Sequence, residues 1–257
     1  MRRAHPRGAL FALGLCWLIL VPAWAEPCLD FRADEWVVPA HVHDGDTLRL
    51  ADGRKLRLLG INTPEIGYDG EASEPLAEEA RKALRTLVGQ VPRLALRYDR
   101  ERKDRYGRLL AHVFLPDRRN LQVLLLHQGL AAAVAVAPNL ANVECYLAAE
   151  RQAAGRGIWR LPAYQGIETT ALSRQASGFH IIQGRVQRVG ESRHAVWLNL
   201  SGNVAVRLDK RDLPRFGAGF DARRLQGKTL KLRGWLYRVR GEARMNLDHP
   251  AAMLTLE

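Results

Sequence analysis

The sequence has few cysteines and lacks the signatures of several common enzyme sites. Only three of its 257 residues are cysteine, and no zinc-ligand spacing is present. It also contains no phosphate-cradling glycine loop and no Ser-His-Asp arrangement. Disorder and fibrous repeats are not indicated, because 47% of the residues are hydrophobic and 26% are charged. This composition is typical of a folded protein of one large or two small domains.

Long hydrophobic runs are absent except near the N terminus. Arginines at positions 2, 3 and 7 precede an apolar run over residues 9–20, and Ala-Trp-Ala follows at 23–25. This pattern predicts a secretory signal peptide over residues 1–25. A membrane anchor is the alternative, but the run falls short of the roughly 18 to 20 residues that a spanning helix needs. We therefore expect an exported protein, periplasmic or secreted, with no membrane span after signal cleavage.

Signal cleavage leaves two cysteines in the mature chain, Cys28 and Cys145. In an oxidising compartment, two cysteines indicate one disulfide. Two free buried thiols remain the alternative. A lipoprotein anchor at Cys16 is disfavoured, because Leu15 occupies a position where such signals carry a small residue.

Within the mature chain, an excess of charge is present only in the C-terminal third. Residues 26–173 contain 20 basic and 20 acidic side chains, whereas residues 174–257 contain 16 basic and 7 acidic ones, a net charge of +9. A basic domain implies a polyanionic partner such as nucleic acid, an anionic membrane surface or an acidic glycan. Ordinary solvated surface charge is the alternative. No protein partner is indicated.

The order of strand-like and helix-like runs predicts a β-barrel domain over residues 26–160. Asp-Gly turns at 44–45 and 52–53 separate three alternating runs, which indicates a three-stranded meander. A helix and two further strands follow, which is the chain order of the five-stranded OB-fold barrel. The fold class is therefore mainly β with helices, α+β. Three helices are expected: one capped by Ser73 and ending at Gly89, one over 121–128, and one from about Asn142 to about Ala154.

A second unit is predicted over residues 178–257. Residues 161–177 are mixed and aperiodic and indicate a linker. Beyond them, alternating runs with a possible short helix between the third and fourth strands predict a second, small OB-like β-barrel.

Oxygen-bearing groups gather at the ends of neighbouring strands in the predicted meander. Asp46 begins the second strand, and Asn62 and Thr63 end the third. A carboxylate, an amide oxygen and a backbone carbonyl are ligands for a hard cation such as Ca²⁺, which polarises a phosphoryl oxygen. Glu65 is placed to take a proton from an attacking water. The alternatives are an ordinary hairpin turn at Asp46 and a helix-capping role for Glu65.

Two arginines are expected on the same face. Arg57 lies on the strand that ends at Asn62, and Arg108 follows the Tyr106-Gly107 turn. Phosphodiester hydrolysis builds negative charge on the phosphorus-bound oxygens, and guanidinium groups contact such oxygens at two points. Arg57 as a surface strand residue is the alternative. The joint occurrence of these groups favours a site that cleaves phosphodiesters.

At this level of detail, residues 42–159 resemble staphylococcal nuclease, the thermonuclease family. The matching motifs occur in the order and with the spacing of that family, and they span about half of the mature chain. They are DGDT at 44–47, RLLGINTPE at 57–65, DRYGR at 104–108, HQGLA at 127–131 and GIW at 157–159.

The resemblance implies a calcium-dependent phosphodiesterase that acts on DNA and RNA. The roles it implies are metal ligation for Asp46, Asn62 and Thr63, activation of the attacking water for Glu65, phosphate binding for Arg57 and Arg108, and a nucleotide-pocket contact for Tyr106.

Two departures from the family pattern affect the expected activity. Asn62 stands where the best-known member has a second metal-binding aspartate, which predicts weaker calcium binding because affinity follows ligand charge. Asp69 or Glu71 is a candidate to compensate. The stretch AAAVAVAPN at 131–139 lacks the tyrosines that line the nucleotide site in the family, which predicts poorer base stacking.

The basic C-terminal unit is a candidate to supply the missing aromatic groups. It carries Trp197, Trp235 and Tyr237 among several arginines, including Arg233. Aromatics interleaved with arginine suit single-stranded nucleic acid; aromatic residues in the core are the alternative. Our first functional hypothesis is an exported, calcium-dependent nuclease for DNA or RNA, whose basic domain holds the substrate. A catalytically weakened nucleic-acid-binding protein of the same fold is the second, and a scaffold for glycan or protein the third.

Overall fold

The computed structural model describes residues 31–256. The predicted signal peptide and Cys28 lie outside these residues, so export and the pairing of Cys28 with Cys145 stay predictions. Among the described residues, no helix is both long and apolar enough to cross a membrane.

Strands of the first half of the chain form a closed barrel. Six of them are arranged in the order β1-β6-β7-β4-β3-β2, with β4 and β7 parallel. Only Val38 separates β1 from β2, so these two strands are the halves of one bent strand that pairs with both edges and closes a five-stranded barrel. The strands are β1 (Glu35–Val37), β2 (Pro39–Val42), β3 (Thr47–Leu50), β4 (Lys55–Leu58), β5 (Ile61–Asn62), β6 (Leu94–Arg97), β7 (Leu109–Phe114) and β8 (Ala132–Ala133).

Successive side chains of β4 lie on opposite faces of the strand, one face in the barrel core and the other outside it. Leu56 and Leu58 are fully buried in the barrel core. Arg57 between them lies on the opposite face, where it pairs with Thr47 of β3 in the strand register. The short β5 continues beyond β4 and pairs with β8. The meander therefore brings the residue after Asp46 next to Arg57, as the sequence predicts.

The predicted helices are present, with one change of start. They are α1 (Ala77–Gly89), α2 (Leu121–His127) and α3 (Val143–Arg151), followed by the single turn α4 (Pro162–Gln165). Asn120 caps α2 by accepting a hydrogen bond from the backbone N–H of Val123. The predicted cap at Ser73 is wrong, because Leu76 takes a left-handed backbone conformation with φ of 70° and delays the helix. The Ser73 hydroxyl instead accepts from the backbone N–H of Gly67.

The second half of the chain forms another closed barrel with the same strand order. Strand β10 pairs with both β11 and β13, and β12 and β14 form the parallel pair. The cycle β10-β11-β12-β14-β13 therefore repeats the topology of the first barrel and confirms the prediction of two OB-like barrels. The strands are β9 (Ile167–Glu168), β10 (Gly178–Glu191), β11 (Ala195–Leu200), β12 (Val204–Asp209), β13 (Thr229–Val239), β14 (Glu242–Asn246) and β15 (Met253–Leu256).

The segment 161–177 contains regular structure where the sequence indicated an aperiodic linker. It holds α4 and β9, and β9 pairs in parallel with β10. Thr169 is 1% exposed, and its hydroxyl bonds to that of Ser201 at 2.9 Å. This segment packs against the second barrel, and its short elements escaped the periodicity of the sequence because they span only two to four residues each.

Candidate active site

A cleft of about 550 Å³ opens on the first barrel. Its lining comes from the turn before β3, from β4 and β5, from the loop before β7 and from the segment after β8. Strand β13 of the second barrel also contributes. Of the residues predicted for the site, the lining contains Asp46, Arg57, Asn62, Glu65, Tyr106, Arg108 and Trp235.

The turn before β3 places two carboxylates at the floor of the cleft. Asp44 and Asp46 are 7% and 2% exposed. An Asp44 oxygen accepts from the backbone N–H of Asp46 at 2.9 Å, and the Thr47 hydroxyl donates to Asp46 Oδ1 at 3.0 Å. A Cβ on Gly45 would lie 2.6 Å from Ala80 and 2.7 Å from the Thr63 hydroxyl. Glycine is therefore required at position 45 by the close approach of α1 and Thr63, and the burial of Asp44 and Asp46 excludes an ordinary exposed hairpin turn.

The three predicted ligand residues meet at this point. The backbone N–H of Thr63 donates to Asp46 Oδ2 at 3.0 Å. The Asn62 amide donates to the Thr63 carbonyl at 3.2 Å. Asn62 and Thr63 are buried, and β8 holds the strand that carries Asn62 through the pairing of Ala132 with Asn62.

The donor set fits a hard cation. Its atoms are oxygens of two carboxylates, an amide and a backbone carbonyl, which are the ligands that Ca²⁺ takes. Among residues 31–256, no three His, Cys, Asp or Glu side chains cluster as a metal site, so a cation here depends on the Asn62 and Thr63 oxygens. Burial raises the pKa of Asp44, because desolvation disfavours the charged carboxylate.

Arg57 lies among these oxygens. It forms an ion pair with Asp46, and a guanidinium N–H donates to Asn62 Oδ1 at 3.0 Å. Burial lowers the pKa of Arg57 to about 10, against the opposing effect of Asp44 and Glu65. The group therefore stays cationic near neutral pH. The position of this guanidinium excludes the alternative of a surface strand residue.

Glu65 stands at the edge of the cleft. Desolvation, followed by the negative charge of Asp44, raises the pKa of the Glu65 carboxyl. A carboxylate with a raised pKa is a better proton acceptor once ionised. Its backbone is fixed, because its N–H donates to a Glu74 oxygen at 2.9 Å and its carbonyl accepts from the Glu74 N–H at 2.9 Å. Leu76 occupies the N-cap position of α1, so Glu65 is not the cap that was the alternative.

A second cationic arm comes from the loop before β7. Asp104 accepts from Arg108 Nε at 2.6 Å and from the Arg108 backbone N–H at 2.9 Å. Although burial acts to raise it, the pKa of Asp104 is lowered by these bonds. Tyr106 is 68% exposed at the rim, and Arg105 donates to its hydroxyl at 2.6 Å. The loop therefore presents Arg108 and an open aromatic ring to the cleft.

The predicted aromatics of the second barrel occupy different places. Trp235 and Tyr237 alternate with buried Leu236 and are 40% and 36% exposed, so both lie on the outer face of β13 and are not core residues. Trp235 lines the cleft. Trp197 of β11 is covered by Arg244, with the guanidinium carbon 4.9 Å from the ring centre, and it does not belong to the cleft lining.

Arg233 does not have the nucleic-acid-facing position expected of it. It is 5% exposed and forms a two-point ion pair with Glu150 of α3 at 2.7 and 2.9 Å. It also donates to the Ala133 carbonyl at 2.8 Å, and Glu150 accepts from the Ala133 N–H at 2.6 Å. Arg233 therefore joins the second barrel to β8, the strand that pairs with β5 and its Asn62.

Comparison with known proteins agrees with this geometry. The sequence model described as staphylococcal nuclease homologue matches residues 55–161. The chain is 36% identical over 124 residues to a thermonuclease of Staphylococcus hyicus, and the match covers 46% of the chain and 72% of the relative. The chain belongs to the staphylococcal nuclease family.

Two further relatives match a similar share of the chain. A thermonuclease of Staphylococcus intermedius is 39% identical over 114 residues, covering 43% of the chain and 66% of the relative. Endonuclease YncB of Bacillus subtilis is 34% identical over 128 residues, covering 47% of the chain and 60% of the relative. Each of these two matches therefore covers slightly less than half of the chain and less than two thirds of the relative.

Two residues of this family member's site were missed by sequence reasoning. Asp44 was assigned only to a turn, although it is buried and supplies the second carboxylate. Asp69 and Glu71, the candidates to compensate for Asn62, are exposed and do not belong to the cleft lining.

The second missed residue is Asp104, which fixes the position of Arg108. The spacing of Asp104 and Arg108 around a glycine turn was the available signal for this pair.

Proposed function

We propose that the protein is a calcium-dependent nuclease that hydrolyses phosphodiester bonds of DNA or RNA. The observation that carries this proposal is the convergence of Asp46, Arg57, Asn62 and Glu65 in one cleft. The names of the relatives, thermonuclease and endonuclease, support the same activity.

Different residues of the cleft have different roles in the proposed reaction. Asp44, Asp46, Asn62 and the Thr63 carbonyl would hold the cation, which polarises a phosphoryl oxygen when bound. Glu65 accepts a proton from the water that attacks phosphorus. Its raised pKa suits proton transfer closer to neutral pH than an ordinary glutamate allows.

The arginines bind the phosphate on which charge develops. Arg57 is largely buried, with 12% of its side chain exposed, and is held by Asp46 and Asn62; Arg108 is oriented by Asp104. Guanidinium groups fixed before the reaction stabilise negative charge without reorganising. Tyr106 offers an exposed ring to a base beside the phosphate.

The second barrel is proposed to hold the substrate. Trp235 lines the cleft next to Val134, Val136 and Ala137, at the place where aliphatic residues replace the tyrosines of the family. The net charge of +9 over residues 174–257 favours a polyanion through its field. The proposed substrate is therefore held by both barrels, and the proposed site of action is outside the cytoplasm because of the predicted signal peptide.

The proposal is tested by Glu65→Gln in the full chain. We expect turnover to fall by orders of magnitude while nucleic acid binding persists, because glutamine keeps the shape but accepts no proton. Loss of binding together with turnover, or unchanged turnover, would refute the role of Glu65.

A second candidate function follows from Asn62. Its amide replaces a negative ligand and donates to the Thr63 carbonyl, which favours a nucleic-acid-binding protein with weakened catalysis. Binding without cleavage at any calcium concentration would support this candidate.

A further inference from the structure

A second cavity adjoins the proposed catalytic cleft and is not used by the chemistry described above. It has a volume of about 490 Å³ and lies between the two barrels. Both cavities are lined by Arg105, Val134, Val136 and Trp235. The cleft and this interbarrel pocket are therefore neighbours that share a boundary at Trp235.

The side chain of Trp235 lies at the boundary between the two cavities and forms an aromatic wall that is held in place. Its Cα is paired with that of Phe179 in the β10–β13 register, and the two rings meet edge to face at 5.3 Å. The ring is backed by Phe179, yet the residue keeps 40% of its surface exposed. An aromatic face that is fixed on one side and open on the other suits base stacking.

Polar groups stand beyond this wall. Tyr237 donates its hydroxyl hydrogen to Asn246 Oδ1 at 3.2 Å, which leaves the amide N–H groups of Asn246 as donors. Asp248 also lines the pocket, and burial raises the pKa of its carboxyl. An aromatic wall with a few amide and carboxyl groups is the lining that small planar ligands require.

The boundary between the cavities carries the positive charge that a nucleotide needs. Arg105 is exposed and lines both of them. Its guanidinium carbon lies 4.8 Å from the centre of the Tyr106 ring, so it is held at the rim. Arg233 deeper in the pocket is neutralised by Glu150. Phosphate is therefore favoured at the rim and an uncharged base inside.

We propose that the interbarrel pocket binds a nucleobase of single-stranded nucleic acid, next to the phosphate held in the cleft. The inference deepens the proposed nuclease function and rests on it for the identity of the polymer. A base must leave its stack and its pairing partner to enter a pocket. The pocket therefore makes the protein prefer single strands over duplexes.

The test measures binding to the full chain carrying Glu65→Gln, so that no probe is cleaved. The probes are a labelled single-stranded DNA oligonucleotide, the same strand containing abasic sites, and the matching duplex, followed by fluorescence anisotropy. Trp235→Ala should weaken binding of the intact single strand by about 5- to 150-fold. It should change duplex binding by less than about two-fold. The abasic strand should bind the parent chain more weakly than the intact strand.

Matched variants guard against misfolding. Trp36 is also 40% exposed and has Arg93 over its ring at 4.2 Å, but it lines neither cavity, so Trp36→Ala should leave single-strand affinity unchanged. Trp235→Phe keeps an aromatic face and should retain most of the affinity for single-stranded DNA. Equal losses of affinity in the Trp36 and Trp235 variants, or equal losses of affinity for single strand and duplex, would overturn the proposed base-binding role of the pocket.

Failure of the pocket can be separated from failure of the proposed nuclease. Cleavage by the unmodified chain with no effect of Trp235→Ala on single-strand binding would overturn the pocket alone. A selective effect of Trp235→Ala without any cleavage by the unmodified chain would support the pocket and overturn the nuclease proposal.

Discussion

At the residue scale, the site is shaped by the balance of charge around Asp46. Arg57 pairs with Asp46 and contacts Asn62, while Asp44 keeps a raised pKa in the same buried turn. Because residue 62 is an asparagine, only two carboxylates in the proposed ligand set, those of Asp44 and Asp46, balance the positive charge of Arg57 and of a bound cation. In the proposed nuclease, this balance would control the affinity for calcium.

Asn62→Asp restores a third carboxylate and should lower the calcium concentration for half-maximal binding by about ten-fold or more, since affinity follows ligand charge. Calcium titration by calorimetry measures this directly. Asp69→Asn, on an exposed loop residue off the cleft, serves as the control and should leave the affinity unchanged. An unaltered affinity in Asn62→Asp would remove Asn62 from the ligand set.

A different residue, His112, contributes to the fall of stability in acid. It is 2% exposed, its Nδ1 lies 2.7 Å from the Tyr146 hydroxyl, and burial lowers its pKa to about 4 from an ordinary 6.5. Between these values the unfolded chain binds more protons than the folded one, so stability falls as the pH falls through this window. The contribution approaches roughly 3 kcal/mol by pH 4.

His112→Gln should flatten this part of the pH dependence, because glutamine does not titrate. Urea unfolding at pH 7 and pH 4 gives the two free energies, and the variant should lose roughly 3 kcal/mol less than the parent between them. His41→Gln at an exposed position is the control. An identical pH dependence in parent and His112→Gln would assign the acid sensitivity elsewhere.

At the element scale, glycines fix how the end of α2 meets the loop after α3. Gly157 has φ of 53°, and a Cβ there would lie 2.0 Å from the Gly129 carbonyl oxygen. The backbone N–H of Ile158 donates to that same oxygen at 2.8 Å. The sequence motifs HQGLA and GIW therefore contact each other through the backbone of Gly129, Gly157 and Ile158.

Gly157→Ala should lower the free energy of unfolding by about 3 kcal/mol, from left-handed strain of about 1 to 2 kcal/mol and overpacking of about 1 to 3 kcal/mol. Gly155→Ala is the matched control, because its φ is 70° and its Cβ would meet nothing within 4 Å. It should show the backbone strain alone. Equal losses in the two variants, measured by urea denaturation, would argue against the close contact.

The Arg233 and Glu150 ion pair connects the elements of the two barrels. Arg233→Met leaves a buried, unpaired Glu150 and should cost about 3 to 5 kcal/mol of unfolding free energy, whereas Arg233→Met with Glu150→Leu should recover most of the loss. The exposed pair of Arg81 with Glu78 provides the control, since Arg81→Met should cost less than about 1 kcal/mol. A double variant no better than the single one would contradict this account.

At the scale of the whole molecule, the cleft is a product of both barrels. The sequence was sufficient for the barrels, because Asp-Gly turns and the alternation of Leu56 and Leu58 with Arg57 define the meander. It also placed Asp46, Asn62, Thr63 and Glu65 together, since consecutive strands bring their ends to one edge.

Long-range packing was beyond the reach of the sequence. Alternation in the sequence places Trp235 and Tyr237 on one face of a strand but does not show whether that face is exposed, and the position of Trp235 in the cleft depends on how the barrels dock. That docking uses the contact of Arg233 with Glu150, 83 residues apart, and nothing in either local pattern indicates the partner. The delayed start of α1 at Leu76 likewise depends on tertiary structure that overrides the Ser73 capping signal.

The most direct test of the account is cleavage of single- and double-stranded DNA by the purified full chain, with calcium titrated from zero to tens of millimolar. We expect calcium-dependent cleavage by the unmodified chain, with faster cleavage of single strands, and loss of cleavage in Glu65→Gln. Retained DNA binding without cleavage at any calcium concentration would contradict the nuclease proposal and favour the non-catalytic binder.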